Sequence, residues 1–231
     1  MALRDDDVAV IVRETFIRAY KQAKHGATPT REELELAVWR SAVDVAQSQQ
    51  RVRQQLTFEE LDTTIRGDPT QSGVVDHLTD PQRNRLLWEL KQGCLTAVVG
   101  CLPPGERLAF VLCDLLGQGA EQVAATLQIT PSALRVRVSR ARKKVSAYLA
   151  PRCEHVDPRN PCHCPSRLGV AITRGFIGDV RGRQVSLRAR PFEDEPPQHD
   201  PLAIFRTLPA PEGQPELLAG LLRDLEAGIW D

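Results

Sequence analysis

Seven Lys or Arg residues and no Asp or Glu lie between Pro131 and Arg152, in a chain whose 30 basic and 30 acidic residues cancel. At about 100° per residue, Leu134, Val138, Ala141 and Val145 fall on one helical face, and Arg135, Val136, Ser139, Arg140 and Lys143 point away from it. Such a helix fits the major groove of B-form DNA. Arginine meets guanine's two acceptors with a bidentate fork, and Val136 offers an apolar contact to a thymine methyl. Ser132, at the start of the helix, joins this set. Arg137, Arg142 and Lys144 sit on the flanks, placed for phosphates that fix register and supply salt-dependent affinity. The plain alternative is a solvated basic helix. The short turn Ile129-Thr130 and the Ala124-Ala125 helix before it argue for DNA contact instead, because together they form a helix-turn-helix.

A second chemistry resides in the cysteines, of which there are six. Cys153, Cys162 and Cys164 form C-x8-C-x-C in a polar, proline-rich stretch, where burial explains them poorly and metal or redox chemistry explains them better. Cys94 and Cys101 are seven residues apart, two helical turns, and read equally as further ligands or as small buried hydrophobes. Thiolates suit zinc, or copper(I) where soft ligands dominate. The five cysteines flank the basic helix, so a metal ion would staple the following segment to it. Cys113, among Val111, Leu112 and Leu115, reads as core, and His155 and His163 read as bystanders.

These residues need helices to hold them. Val8, Val12, Phe16 and Ala19 share a helical face, and Thr30 with Glu33 makes a capping box for a helix carrying Leu34, Ala37, Val38, Ala42 and Val45. Gly67-Asp68-Pro69 and Gln71-Ser72-Gly73 mark a linker. A helix from about Pro81 to Val99 follows, then one opened by Pro103-Pro104 that bears Leu108, Leu112 and Leu115 and stops at Gly117. Beyond Pro151, Leu168 to Ser186 reads as a short hairpin and Pro191 to Pro201 as a linker. A last helix, Glu216 to Ala227, aligns Leu217, Leu218, Leu221 and Leu225. The expectation is an all-α protein: a helical domain over 1–66, a linker over 67–80, a helix-turn-helix domain over 81–150, and a Cys/Pro-rich extension over 151–231.

Composition narrows the function. The 42% hydrophobic content supports real cores, and the 5% aromatic content points to small ones built from Leu, Val and Ala. No apolar run approaches the roughly 18 residues of a membrane span. Met1 to Asp7 holds three aspartates and does not read as a signal peptide. A cytoplasmic protein is therefore expected. No nucleophile–base set, Gly-rich phosphate loop or paired catalytic carboxylate stands out, which argues against an enzyme.

Leu102-Pro103-Pro104, Glu106-Arg107 and Ala109 to Leu112, followed by Glu121 to Val145, resemble region 4 of bacterial sigma factors, and most of all the extracytoplasmic-function (ECF) group of the sigma-70 family. Val12 to Tyr20 resembles the region 2 helix that binds the RNA polymerase clamp. Val38 to Arg53 resembles a weakened version of the segment that meets the minus-ten element. The resemblance covers roughly 7–55 and 81–150. It implies contacts with core RNA polymerase through Arg13, Glu14, Phe16 and Arg18, and with promoter DNA through Arg51 and Arg53 as well as the basic helix. It also implies a region 2 that is incomplete before Asp7, and admits an anti-sigma factor as partner. Some ECF members carry similar cysteine-rich, metal-responsive tails. A stand-alone helix-turn-helix regulator and a degenerate sigma-like protein that sequesters a partner are the competing readings.

Overall fold

The computed structural model describes residues 56–65, 72–178 and 190–209, with Arg13, Thr15, Ile17, Lys21, Thr30, Ala37, Val38, Gly220, Arg223 and Ala227. The chain divides into two compact units, one of residues 55–120 and 131–212, the other of 2–54, 121–130 and 213–231. Among the described residues the fold is all-α, as expected. The elements are α1 (Phe58–Ile65), α2 (Asp80–Gly100), α3 (Pro104–Phe110), α4 (Ala120–Thr126), α5 (Pro131–Leu149) and α6 (Cys164–Thr173). A single parallel bridge joins Cys153 and Cys162.

Local chemistry sets the helix ends. Thr57 and Glu60 form a reciprocal cap on α1, Thr57 N–H donating to Glu60 Oε2 at 2.7 Å and Glu60 N–H to Thr57 Oγ1 at 3.1 Å. Thr79 N–H and hydroxyl both donate to Gln82 Oε1, at 3.0 and 3.1 Å, and Pro81 occupies the first turn of α2. After α3 the chain widens into one π turn, Val111–Leu115, before Gly117 ends it at φ +65°. That turn shifts the helical phase. Leu112 is buried accordingly, but Leu115, expected on the same apolar face, is left exposed.

In the first unit, α3 packs along α5 and α2 along α6. One core gathers Leu95, Val98 and Leu102 with Phe110, Val145 and Leu149, and it also takes in Val156, Ile204 and Phe205. A second joins Leu87 and Trp88 to Leu168, Ala171 and Phe192. Residues beyond 150 therefore complete the cores of α2 and α5. In the other unit, Val123 and Ala124 are buried, Ile129 N–H closes onto Ala124 O at 3.0 Å, and Gln128 takes φ +54° between α4 and the turn.

Two expectations for the extension are corrected. Leu168 to Thr173 is helical within α6, because Leu168, Ala171 and Ile172 recur at helical rather than strand spacing and Leu168 and Ala171 enter the second core. Residues 191–201 are a strap rather than a bare linker. Trp88 Nε1–H donates to Arg190 O at 2.9 Å, and Phe192 meets the Trp88 ring edge-on at 5.1 Å. Lys91 Nζ then reaches both oxygens of Glu195 at 2.5 Å and Thr207 Oγ1 at 2.7 Å. The Lys91 and Glu195 side chains are 2% and 0% exposed. The expected N-terminal helices and the last helix lie outside the described residues, apart from the few named above.

Removing one partner of a buried ion pair strands the other charge, at a cost of about 3–5 kcal/mol. Lys91→Met should lower stability by that amount in urea unfolding, and Lys91→Met with Glu195→Leu should recover most of it.

Candidate nucleic-acid interface and cysteine cavity

The 19 residues of α5 hold no acidic side chain. Leu134, Val138, Ala141 and Val145 are buried as the spacing predicts. Ser132, Arg135, Ser139, Arg140 and Lys143 are exposed, and Val136 is 48% exposed, unusual for valine in a packed unit. An open concavity of about 550 Å³ lies beside them, lined in part by Arg135, Ser139, Arg142 and Lys143.

The flanking cations do not stand free. Arg142 grips Asp114 of the π turn through Nε at 3.0 and 3.1 Å and through its terminal nitrogen at 2.5 Å. Lys144 Nζ pairs with Glu106 Oε2 at 2.8 Å. Arg137 is half-buried against α3: a Cβ added at Gly105 would meet its guanidinium at 3.0 Å. The sequence expectation that all three wait for phosphates is therefore revised for Arg142 and Lys144. Their partners come from α3 and the turn after it, 28 and 38 residues away. Both pairs are half-open to water on the basic side, where such contacts hold only about 0–1 kcal/mol. Arg13 is exposed. Glu14, Phe16, Arg18, Arg51 and Arg53 lie outside the described residues.

The cysteines separate into groups. Cys94 of α2, Cys153 and Cys162 of the bridge, and Cys164 at the start of α6 line one cavity of about 390 Å³ together with Lys91 and His155. The bridge is held by Glu154 N–H to Cys162 O at 3.2 Å and Cys162 N–H to Arg152 O at 3.0 Å. Asn160 Nδ2 ties the loop by donating to Ala150 O at 2.7 Å and Cys153 O at 2.9 Å. Cys101 does not line this cavity. α2 ends at Gly100, and Cys101, its C-cap, packs into the first core. Cys113, expected in a core, is half-buried on the concavity beside Arg135.

Burial pushes the cavity thiols up, and their closeness adds to it. Cys153 is raised to about 11, while Cys94 and Cys164 rise well above the thiol range. Cys101 is also raised to about 11, by burial. Two further groups, Lys91 and Glu195, escaped the sequence reading, and His155, read there as a bystander, lines the cavity with Lys91 and faces Glu195. His155 is buried, with Nδ1 3.3 Å from Glu195 Oε2 and Nε2 3.6 Å from Cys164 Sγ. Lys91 and Glu195 complete its surroundings. Nothing local marks these residues, since Lys91 and Glu195 are 104 positions apart. Among the described residues, Glu154, His155 and Cys164 place one ligand atom each within 4.8 Å of one another.

Residues 92–145 match a family model described as sigma-70, region 4. The chain is similar to the ECF RNA polymerase sigma factor SigE of Mycolicibacterium smegmatis, 28% identical over 146 residues, which are 62% of this chain and 52% of the relative. The chain thus spans about half the length of that curated relative. No solved structure matches it. Among the described residues, no helix is long and apolar enough to cross a membrane.

The thiolate is the form that alkylates. In native chain at pH 8, Cys94, Cys101 and Cys164 should react with iodoacetamide at least roughly tenfold more slowly than in urea, followed site by site by mass spectrometry.

Proposed function

We propose, from its likeness to sigma-70 region 4 over residues 92–145 and to an ECF RNA polymerase sigma factor, that this chain is a sigma factor that directs core RNA polymerase to specific promoters. α5 reads the minus-thirty-five element. The observation that carries this is the division of α5 into a buried apolar face and an exposed one offering Arg135, Val136, Ser139, Arg140 and Lys143 without a single carboxylate. Arginine forks and an exposed valine are what a major-groove reader needs, while the Asp114 and Glu106 pairs hold two more cations at the edge for phosphates. The expected domain scheme gives 1–66 the polymerase contact and 81–150 the promoter contact, with 151–231 as modulator. In that last role, the cavity cysteines bind zinc or copper(I) and set the activity of the promoter-reading domain. An anti-sigma partner would act on the same helices.

Transcription reconstituted from core polymerase, this protein and a cognate promoter tests the reading. Initiation that depends on this chain supports it. A footprint obtained without polymerase, together with no initiation, would favour the stand-alone regulator.

Two variants probe the interface. Arg135→Ala should weaken cognate promoter binding by about 1–3 kcal/mol and relax selectivity at one base position, in competition binding across single-base variants. Asp114→Asn frees Arg142 for phosphate. It should strengthen binding evenly across sequences and steepen the plot of log affinity against log salt by about 0.9.

A further inference from the structure

We propose that His155 is a ligand of a thiolate-rich metal centre in the cysteine cavity, and that Glu195 is the positioning residue that orients it. This rests on the reading of the cavity cysteines as metal ligands. It adds a nitrogen donor that the cysteine pattern does not contain, and removes Cys101 from the set.

The two ring nitrogens of His155 face different chemistry. Nε2 points at Cys164 Sγ, 3.6 Å away, and Nδ1 at the fully buried carboxylate of Glu195, 3.3 Å away. With the proton on Nδ1, donated to Glu195, the Nε2 lone pair is left toward the thiols. A metal-bound imidazole is ordinarily held this way, its outer N–H given to a carboxylate that fixes tautomer and ring orientation. Lys91 balances the Glu195 charge from the other side, at 2.5 Å.

The other donors share the cavity. Cys94, Cys153 and Cys162 line the same cavity as His155 and Cys164. The Glu154 carboxylate is already engaged by the Cys164 N–H and by His163 Nδ1 at 2.8 Å, so it supports the loop rather than supplying a ligand. One imidazole with several thiolates suits a thiophilic cation of the Zn²⁺ class. Cys101, in the first core, takes no part.

The strap reads this centre directly. Gln198 N–H donates to His155 O at 2.8 Å, and the Phe192 ring stands edge-on to the imidazole at 5.1 Å. A metal held through His155 therefore fastens residues 190–209 to α2.

The test titrates the reduced, metal-free full chain with Zn²⁺ against a competing chelator, alongside long-range ¹H–¹⁵N spectra of its histidines. One Zn²⁺ per chain is expected, with the His155 Nε2 signal moving to a metal-bound position. Glu195→Gln should weaken Zn²⁺ binding about 10- to 100-fold at unchanged stoichiometry, His155→Ala should weaken it further, and Cys164→Ser should abolish stoichiometric binding. The wild-type spectrum decides even if a variant fails to fold. An unmoved His155 signal, with His155→Ala binding like wild type while Cys164→Ser does not, overturns the histidine ligand and leaves a cysteine-only centre standing. Glu195→Gln binding like wild type overturns the role of Glu195. A wild-type chain that takes up no Zn²⁺ overturns the cysteine reading and this inference together.

Discussion

The side chains of Lys91 and Glu195 are taken out of water almost completely, Lys91 held by Glu195 and Glu195 by Lys91, with His155 at 3.3 Å and Arg190 at 3.5 Å beside the carboxylate. Desolvating a charge costs several kcal/mol even after relaxation, against a net stability of about 5–15 kcal/mol for a domain. The pair is tolerable only because both carboxylate oxygens meet the ammonium and Thr207 takes another of its protons. The strap is bound by this arithmetic. Peeling it away exposes Trp88 and Phe110 to water and leaves Lys91 buried without its countercharge. The pair also sets register. Phe192 and Phe205 could slide among apolar neighbours at little cost, but a carboxylate that must meet one ammonium cannot. His155 inherits that register, since it is fixed against the same Glu195.

How much of this was legible follows from how local each cause is. Pro81, Pro104 and Pro131 act within a turn of themselves, so the starts of α2, α3 and α5 follow from the sequence, whereas the π turn that ends α3 at Phe110, before Gly117, does not. The two faces of α5 are legible for the same reason, because a 3.6-residue period needs no tertiary information. α6 was not. Gly169 and a run of Val, Ile and Phe resemble strand and turn, and only packing of Leu168 and Ala171 onto α2 decides for helix. The strap misleads in a different way. Its prolines and acids give the composition of a linker, yet Phe192 and Glu195 within it, and Phe205 just after it, fix it. Composition weighs all residues alike, whereas folding weighs the few that are buried.

The interface shows the same limit. Periodicity assigns Arg142 and Lys144 to the flanks of α5 correctly, but their carboxylate partners lie on other elements. Asp114 reaches Arg142 from within the π turn. Glu106 stands in the first turn of α3, where an acidic side chain also suits the helix dipole. The consequence is electrostatic: the basic face is trimmed to Arg135, Arg140 and Lys143 at its centre, with weakly held cations in reserve. The exposed ends of Arg142 and Lys144 are held by carboxylates that are themselves only 12% exposed, so an anion on the basic side could compete for the cations without those carboxylates moving.

α5 belongs to both sites. Its middle carries Arg135 to Lys143, and its last turn supplies Tyr148 and Leu149 to the wall of the cysteine cavity. At about 1.5 Å per residue its 19 residues form a rod of roughly 28 Å. Arg152, just past its end, lies over the Tyr148 ring at 4.7 Å and pairs with Asp62 of α1 at 3.0 Å, so that end is tied on two sides. Anything bound among the cysteines therefore acts on the same rigid element that presents the basic face. Its influence has a strict bound. A ligand shifts the placement of α5 only by as much as it prefers one placement over another, however tightly it binds. The thiols of Cys153, Cys162 and Cys164 lie on the loop and helix start that follow α5, whereas Cys94 lies on α2. Ligation across those two groups would distinguish one α5 placement from another, and ligation within the loop alone would not.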